Sequence, residues 1–298
     1  MRQRPIPLRA VTIDTAKHNE NGRDLFRKAE LQGRHASSNH TTASNLLDLQ
    51  GETDTNIQAG EQFRLSSCQL DAAKAYQKAA LLVSSEKLNK QERAALLYTE
   101  AALCLDKLDS SLAVAPFSQA VSQYCQASKY ENAAATEERI ARIHETNSQW
   151  ESSVKHYQRA AKLSLSKFFS DNMSERAALL LEKNGEYLEA SRLYRDLAFS
   201  CASRDLHRFD VPFHVLKSGI LLLAQGGDTS QVRDLAQKTC PCSGELSFLN
   251  NLCDSVTRKD ISAFADSLYS YNGMHELTAE ILTALSKIKD LVCGNNEC

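Results

Sequence analysis

Glycine and proline are scarce in this chain. Its 298 residues hold 11 Gly and 5 Pro, too few turn-formers for a sheet-rich fold, so long helices are favoured. Neither charge sign dominates: 35 Lys and Arg face 37 Asp and Glu, a net charge of −2. That balance excludes a global field that would gather nucleic acid or an anionic membrane, and electrostatic recognition must come from local patches. Long apolar runs are absent too. None exceeds five residues, as in ILLLA at 220–224, far below the roughly 20 residues that span a bilayer. The opening MRQRPIPLRAVTID has no apolar stretch of the length a secretory signal needs. The nine Cys are an odd number, and several sit in helical patterns where Cys behaves as a small apolar residue. Reduced thiols in a soluble cytosolic chain are therefore expected, and the sequons at Asn39 and Asn172 are read as chance matches.

Catalytic signatures are missing as well. There is no Gly-x-x-x-x-Gly-Lys-Ser/Thr loop, no Gly-rich dinucleotide turn, no Gly-x-Ser-x-Gly elbow and no His-Glu-x-x-His pair. Cys240-Pro-Cys242 is the one conspicuous thiol pair, and Cys253 alone does not complete a zinc set. His144 and His156 fall on helices as satisfied core or surface residues. No enzyme, cofactor or metal is expected.

What the chain does have is a repeat. DAAKAYQKAA from Asp71, SLAVAPFSQAV from Ser111, WESSVKHYQRAA from Trp150 and EYLEASRLYRDLA from Glu186 share a pattern of small residues around one aromatic. The aromatics are Tyr76, Phe117, Tyr157 and Tyr194, at intervals of 41, 40 and 37 residues. A period of about 34 to 45 residues marks stacked helical hairpins. Ala72, Ala75, Tyr76, Ala79 and Ala80 fall on one helix face, and Ala190, Leu193, Tyr194, Leu197 and Ala198 repeat it. Short connectors (KLD, KY, NSQ and NGE) leave room only for antiparallel neighbours. The period assigns the aromatics to inter-helix packing rather than to a ligand.

The pattern predicts an all-α fold: a right-handed, tetratricopeptide-like solenoid of helical hairpins over 23–225, capped by a helical bundle over 226–298. Residues 1–22 lack periodicity and are expected to be disordered. A short helix is predicted at 23–32, followed by a polar loop at about 33–56. After the Gly226-Gly227-Asp228 break, helices are expected at roughly 229–239, 245–256, 260–271 and 275–292.

The stretch IARIHETNSQWESSVKHYQRAAKL at 140–163 resembles the soluble NSF attachment proteins, the SNAP family. The likeness runs back through EQFRLSSCQLDAAKAYQKAA and forward through GEYLEASRLYRDLA to DISAFADSLYSYNGMHELTAEILTALSKIKD. It is nearer the alpha/beta type than the gamma type. The resemblance implies a cytosolic adaptor, peripherally associated with membranes, that coats the acidic four-helix SNARE bundle in several copies. It would then recruit the AAA+ ATPase N-ethylmaleimide-sensitive factor, which pulls the bundle apart.

Residue by residue, the family's basic SNARE-binding positions match Lys129 and Arg176. Two further family lysines fall on Ala135 and Asn172, so the affinity is assigned also to Arg139, Arg142 and Arg208. The family's membrane-dipping Phe loop is represented by Leu46, Leu47 and Leu49, implying reduced membrane contact. Its acidic, Leu-bearing tail is represented by Asp290, Leu291 and Glu297, with the ATPase as partner. Leu291 is also read as the last core position of its helix. The alternatives are a generic tetratricopeptide adaptor and a structural helical-repeat subunit, with an enzyme built on Cys240 and Cys242 further behind.

Overall fold

The computed structural model describes residues 8–36, 42–85, 90–204, 209–239, 243–272 and 277–294; side chains of 8–14, 33–36, 42–47 and 272 are outside that description. Among the described residues every regular element is a helix. They form two compact units, one holding the chain up to Ser148 with Lys162–Leu165, the other Gln149–Ala161 and the chain from Ser166.

The first unit contains α1 (Leu8–Ala36), α2 (Thr42–Leu65), α3 (Gln69–Ser84), α4 (Gln91–Asp106), α5 (Ser110–Gln126) and α6 (Tyr130–Thr146). Each packs on the next, as hairpins joined by short connectors must. The cause lies in the small residues. Ala72, Ala75, Ala79, Ala94, Ala101, Ala113 and Ala120 are all fully buried, so backbones approach closely and the aromatics Tyr76 and Phe117 fill the space beside them.

Two glycines do the same further up. A Cβ on Gly22 would lie 2.8 Å from the Phe63 ring, and one on Gly60 2.9 Å from the Tyr76 ring.

The amino-terminal region departs from the sequence reading. A 29-residue helix begins at Leu8 where disorder over 1–22 and a short helix at 23–32 are expected. The predicted polar loop at 33–56 is largely the start of α2. The reason is local hydrogen bonding. Thr53, Thr55 and Asn56 each donate to the carbonyl four residues back (Leu49, Gly51 and Glu52) at 2.7, 2.8 and 2.9 Å. Polar side chains satisfied in this way can be buried in a helix, and Glu52, Thr53, Thr55 and Asn56 are. A seam of this kind has no apolar period to read.

The second unit contains most of α7 (Trp150–Leu163), then α8 (Lys167–Lys183), α9 (Tyr187–Ala202), α10 (Val211–Ala224), α11 (Thr229–Thr239), α12 (Gly244–Arg258), α13 (Ile261–Asn272) and α14 (Ala279–Cys293). The last four match the expected helices closely. The boundary expected after residue 225 is not where the contacts divide. Helix α10, VPFHVLKSGILLLA, is mostly apolar and buried on nearly every side. It packs on α9 as a repeat helix, and on α11, α12 and α14 as the centre of the carboxy-terminal bundle. Within this unit one core serves the last repeat helices and the bundle.

Candidate functional site

Helix α6 carries Arg139 and Arg142, with Lys129 capping its start, and that start is fixed by a turn. After α5, Ser128 takes the left-handed conformation at φ 57°, letting the Lys129 N–H donate to the Tyr124 carbonyl at 2.8 Å. This is the Schellman closure of a helix end, with Ser where Gly is usual. The same closure follows α2 and α8, with Ser67 at φ 61° and Gly185 at φ 82°; there the Cys68 and Glu186 N–H groups reach Phe63 and Leu181 at 2.8 and 2.9 Å. Lys129 therefore emerges at a defined point, and its Nζ lies 3.2 Å from Glu92 across the hairpin gap, both side chains about half exposed.

Arg139 and Arg142 come together one turn apart. They line a groove of about 370 Å³ with Asp106, Ser110, Phe117, Ile143 and Thr146. The Arg139 guanidinium sits over the buried Phe117 ring, 6.0 Å from its centroid, while the side chain is exposed. Arg142 pairs with Glu138 on its own helix at 2.6 Å, its side chain 60% exposed. At 1.5 Å per residue, Lys129 lies about 15 Å from Arg139 along α6. Exposed ion pairs like Lys129–Glu92 and Arg142–Glu138 contribute about 0–1 kcal/mol, so an incoming carboxylate exchanges with them at little cost.

Arg176 belongs to the second unit, exposed on α8. Among the described residues it makes no ion pair. By contrast, the largely buried Arg204 in the same unit is committed to Asp171. Arg208 lies outside the described residues, as do Glu297 and the Cys240–Cys242 pair.

Leu46 and Leu47 are in the first turns of α2, with side chains beyond the description; Leu49 follows them in the helix, half buried. Asp290 and Leu291 are exposed near the end of α14. Leu291 is 43% exposed while Ile288 and Val292 are buried, which corrects the reading of Leu291 as a core position: the helical stripe through Ile281, Ala284, Leu285 and Ile288 closes on Val292 instead.

A buried charge cluster in the second unit escaped the sequence reading. Glu182 Oε2 accepts from the Tyr194 hydroxyl and from Lys217 Nζ, each at 2.9 Å, and Lys217 Nζ lies 3.2 Å from the same hydroxyl. The Lys217 and Glu182 side chains are 3% and 0% exposed. Burial, with the Glu182 carboxylate adding to it, pushes the Tyr194 phenol far above its ordinary value. His214 stacks on Tyr194 at 6.1 Å. The signal was available: a lysine inside VPFHVLKSGILLLA needs a buried acid, and Glu182 follows the apolar end of α8. The described cysteines are not in disulfides, and burial raises the thiols of Cys104, Cys201 and Cys253, the last to about 11. No helix among the described residues is long and apolar enough to cross a membrane.

The family model for "Soluble NSF attachment protein, SNAP" matches residues 19–292. The chain belongs to the soluble NSF attachment protein family. Its relatives include the alpha-soluble NSF attachment protein of Vitis vinifera, 23% identical over 242 residues, covering 78% of this chain and 83% of that one. A probable vesicular-fusion protein sec17 homolog of Neurospora crassa is 24% identical over 254 residues, covering 81% and 85%. The match runs through both units, so the α6 cations, Arg176 and the buried cluster all lie on a SNAP-family framework.

Proposed function

We propose that this chain is a SNARE-disassembly adaptor: it binds the assembled four-helix SNARE bundle and recruits the AAA+ ATPase that takes the bundle apart in vesicle-mediated transport. Support comes from the family match over nearly the whole chain, together with the disposition of charge on α6. Lys129, Arg139 and Arg142 are exposed along one helix and held only by weak surface contacts. Many such contacts acting together suit a rod-like acidic partner, giving fast, salt-sensitive association. Arg176 adds an exposed cation that makes no ion pair among the described residues. In this reading Leu49 and the start of α2 supply weak membrane contact, Asp290 and Leu291 face the ATPase, and several copies surround one bundle. The test is to mix the recombinant chain with assembled SNARE bundle, the ATPase and ATP. Binding followed by ATP-dependent disassembly is expected; absence of binding to the bundle would overturn the reading.

A further inference from the structure

A second surface lies on α9, on residues that the adaptor reading does not use. Ser191 on α9 and Ser218 on α10 are both buried, and each hydroxyl donates to the carbonyl of the other residue, at 2.8 and 2.9 Å. This reciprocal pair brings the two helices together through small side chains. On its other sides α10 is equally close-packed: a Cβ on Gly219 would lie 2.7 Å from Leu249 and 3.0 Å from Val232. Helix α10 is thus set deep, and above the two serines a groove of about 420 Å³ opens between α9 and α11.

The α9 wall is a single stripe. Leu188, Arg192, Arg195 and Phe199 follow at intervals of four, three and four residues, which places them on one helix face. Leu188 and Phe199 are 45% and 46% exposed and bracket the groove wall. They stand about 16 Å apart along the helix axis.

Between them lie two guanidiniums with little to hold. Among the described residues, Arg195 pairs only with its chain neighbour Asp196, at 3.2 Å on the exposed surface, and Arg192 makes no ion pair. The groove's one carboxylate, Asp234 on α11, stands on the opposite wall and pairs on its own helix with Lys238 at 2.7 Å, both side chains exposed. The wall therefore reads apolar, cation, cation, apolar over three helical turns.

We infer that this groove docks one acidic amphipathic helix of a partner protein. Its carboxylates would meet Arg192 and Arg195, while apolar side chains at the same spacing cover Leu188 and Phe199. The charge pattern decides the occupant: a purely apolar segment would leave both guanidiniums covered and unpaired, which is costly, and a basic helix would be repelled.

A fluorescent helical peptide presenting Leu, Glu, Glu, Leu at this spacing, titrated against the full chain by anisotropy, tests the inference. Saturable binding is expected. It should weaken about tenfold or more when the peptide carries Lys for Glu, and equally in the Arg192→Glu/Arg195→Glu variant. The milder Arg192→Gln/Arg195→Gln variant should also lose affinity while keeping its helical circular dichroism. Reversal of Lys129, Arg139, Arg142 and Arg176 should leave peptide binding intact, which separates this groove from the surface of the adaptor reading. Equal binding of acidic and basic peptides, no saturable binding, or full retention in the double variants would each overturn the inference. So would self-association of the chain abolished by Phe199→Ser, which would assign the groove to a second copy.

Discussion

Phe117 and Tyr194 hold the same place in their repeats, one in each unit, and each lies under a cation. Over Phe117 the cation is Arg139, exposed on α6 at 6.0 Å. Over Tyr194 it is Lys217, 5.0 Å from the ring centroid and almost wholly buried. The difference separates two uses of charge. An exposed guanidinium is solvated, needs no fixed partner and stays available to a ligand. A buried ammonium must be satisfied from within, so Glu182 and the Tyr194 hydroxyl are bound to it and the cluster becomes part of the core. Basic residues are therefore binding candidates in this chain by their exposure, not by their number.

The comparison breaks most visibly at Lys217. Lys217→Ala leaves Glu182 buried without its cation and should cost about 3–5 kcal/mol, read as a large drop in the unfolding midpoint in urea. Replacing both partners, Glu182→Leu with Lys217→Met, should recover most of that loss. If the double variant is no better than the single, the cluster is not acting as a compensated pair.

The anchor hydroxyls give the next contrast. Tyr194→Phe removes a donor to Glu182 and should cost about 1–3 kcal/mol. Tyr76, whose phenol burial pushes up to about 12, has no hydrogen-bond partner among the described residues, so Tyr76→Phe should stay within about 0.5 kcal/mol. Equal losses in chemical denaturation would erase the distinction between the two units.

A smaller effect is expected with pH. Burial holds the His214 imidazole below its ordinary value, with nearby Glu175, Asp210 and Asp171 opposing and Lys217 assisting. The unfolded chain therefore takes up this proton at a higher pH than the folded one. The stability it contributes is complete above the ordinary histidine value of 6.5 and is lost as the pH falls below it toward the folded value. The thermal midpoint should fall between about pH 7.5 and about pH 5.5, and less steeply in His214→Phe. An unchanged slope would place the acid sensitivity elsewhere.

Smallest of all, Arg142→Gln and Lys129→Gln should change stability by less than about 0.5 kcal/mol, because both side chains are solvated. A larger loss would make these positions structural rather than free for a partner.

Much of the fold was legible because the repeat relies on alanine and one aromatic per hairpin. Ala72, Tyr76, Ala190 and Tyr194 sit where the 3.6-residue period puts them. The amino-terminal helices were not legible, since α2 buries Glu52, Thr53, Thr55 and Asn56 on hydrogen bonds that no hydropathy pattern reports. The turns were half legible: polar connectors marked them, but Ser67 and Ser128 occupy left-handed positions where glycine would have announced the closure. At the candidate site, the family resemblance pointed to Lys129 and Arg176, with Arg139, Arg142 and Arg208 as further candidates. Which cations are solvated and which are spent, as Arg204 and Lys217 are, follows only from the packed structure.

The most direct test of the account is the affinity of the full chain for an assembled SNARE four-helix bundle, measured across a salt series with and without charge reversal at Lys129, Arg139, Arg142 and Arg176. The account predicts binding that weakens steadily as salt rises and falls at least about tenfold in the reversed variant, whose unfolding midpoint stays unchanged. Binding of equal strength by the reversed variant at physiological salt would contradict it.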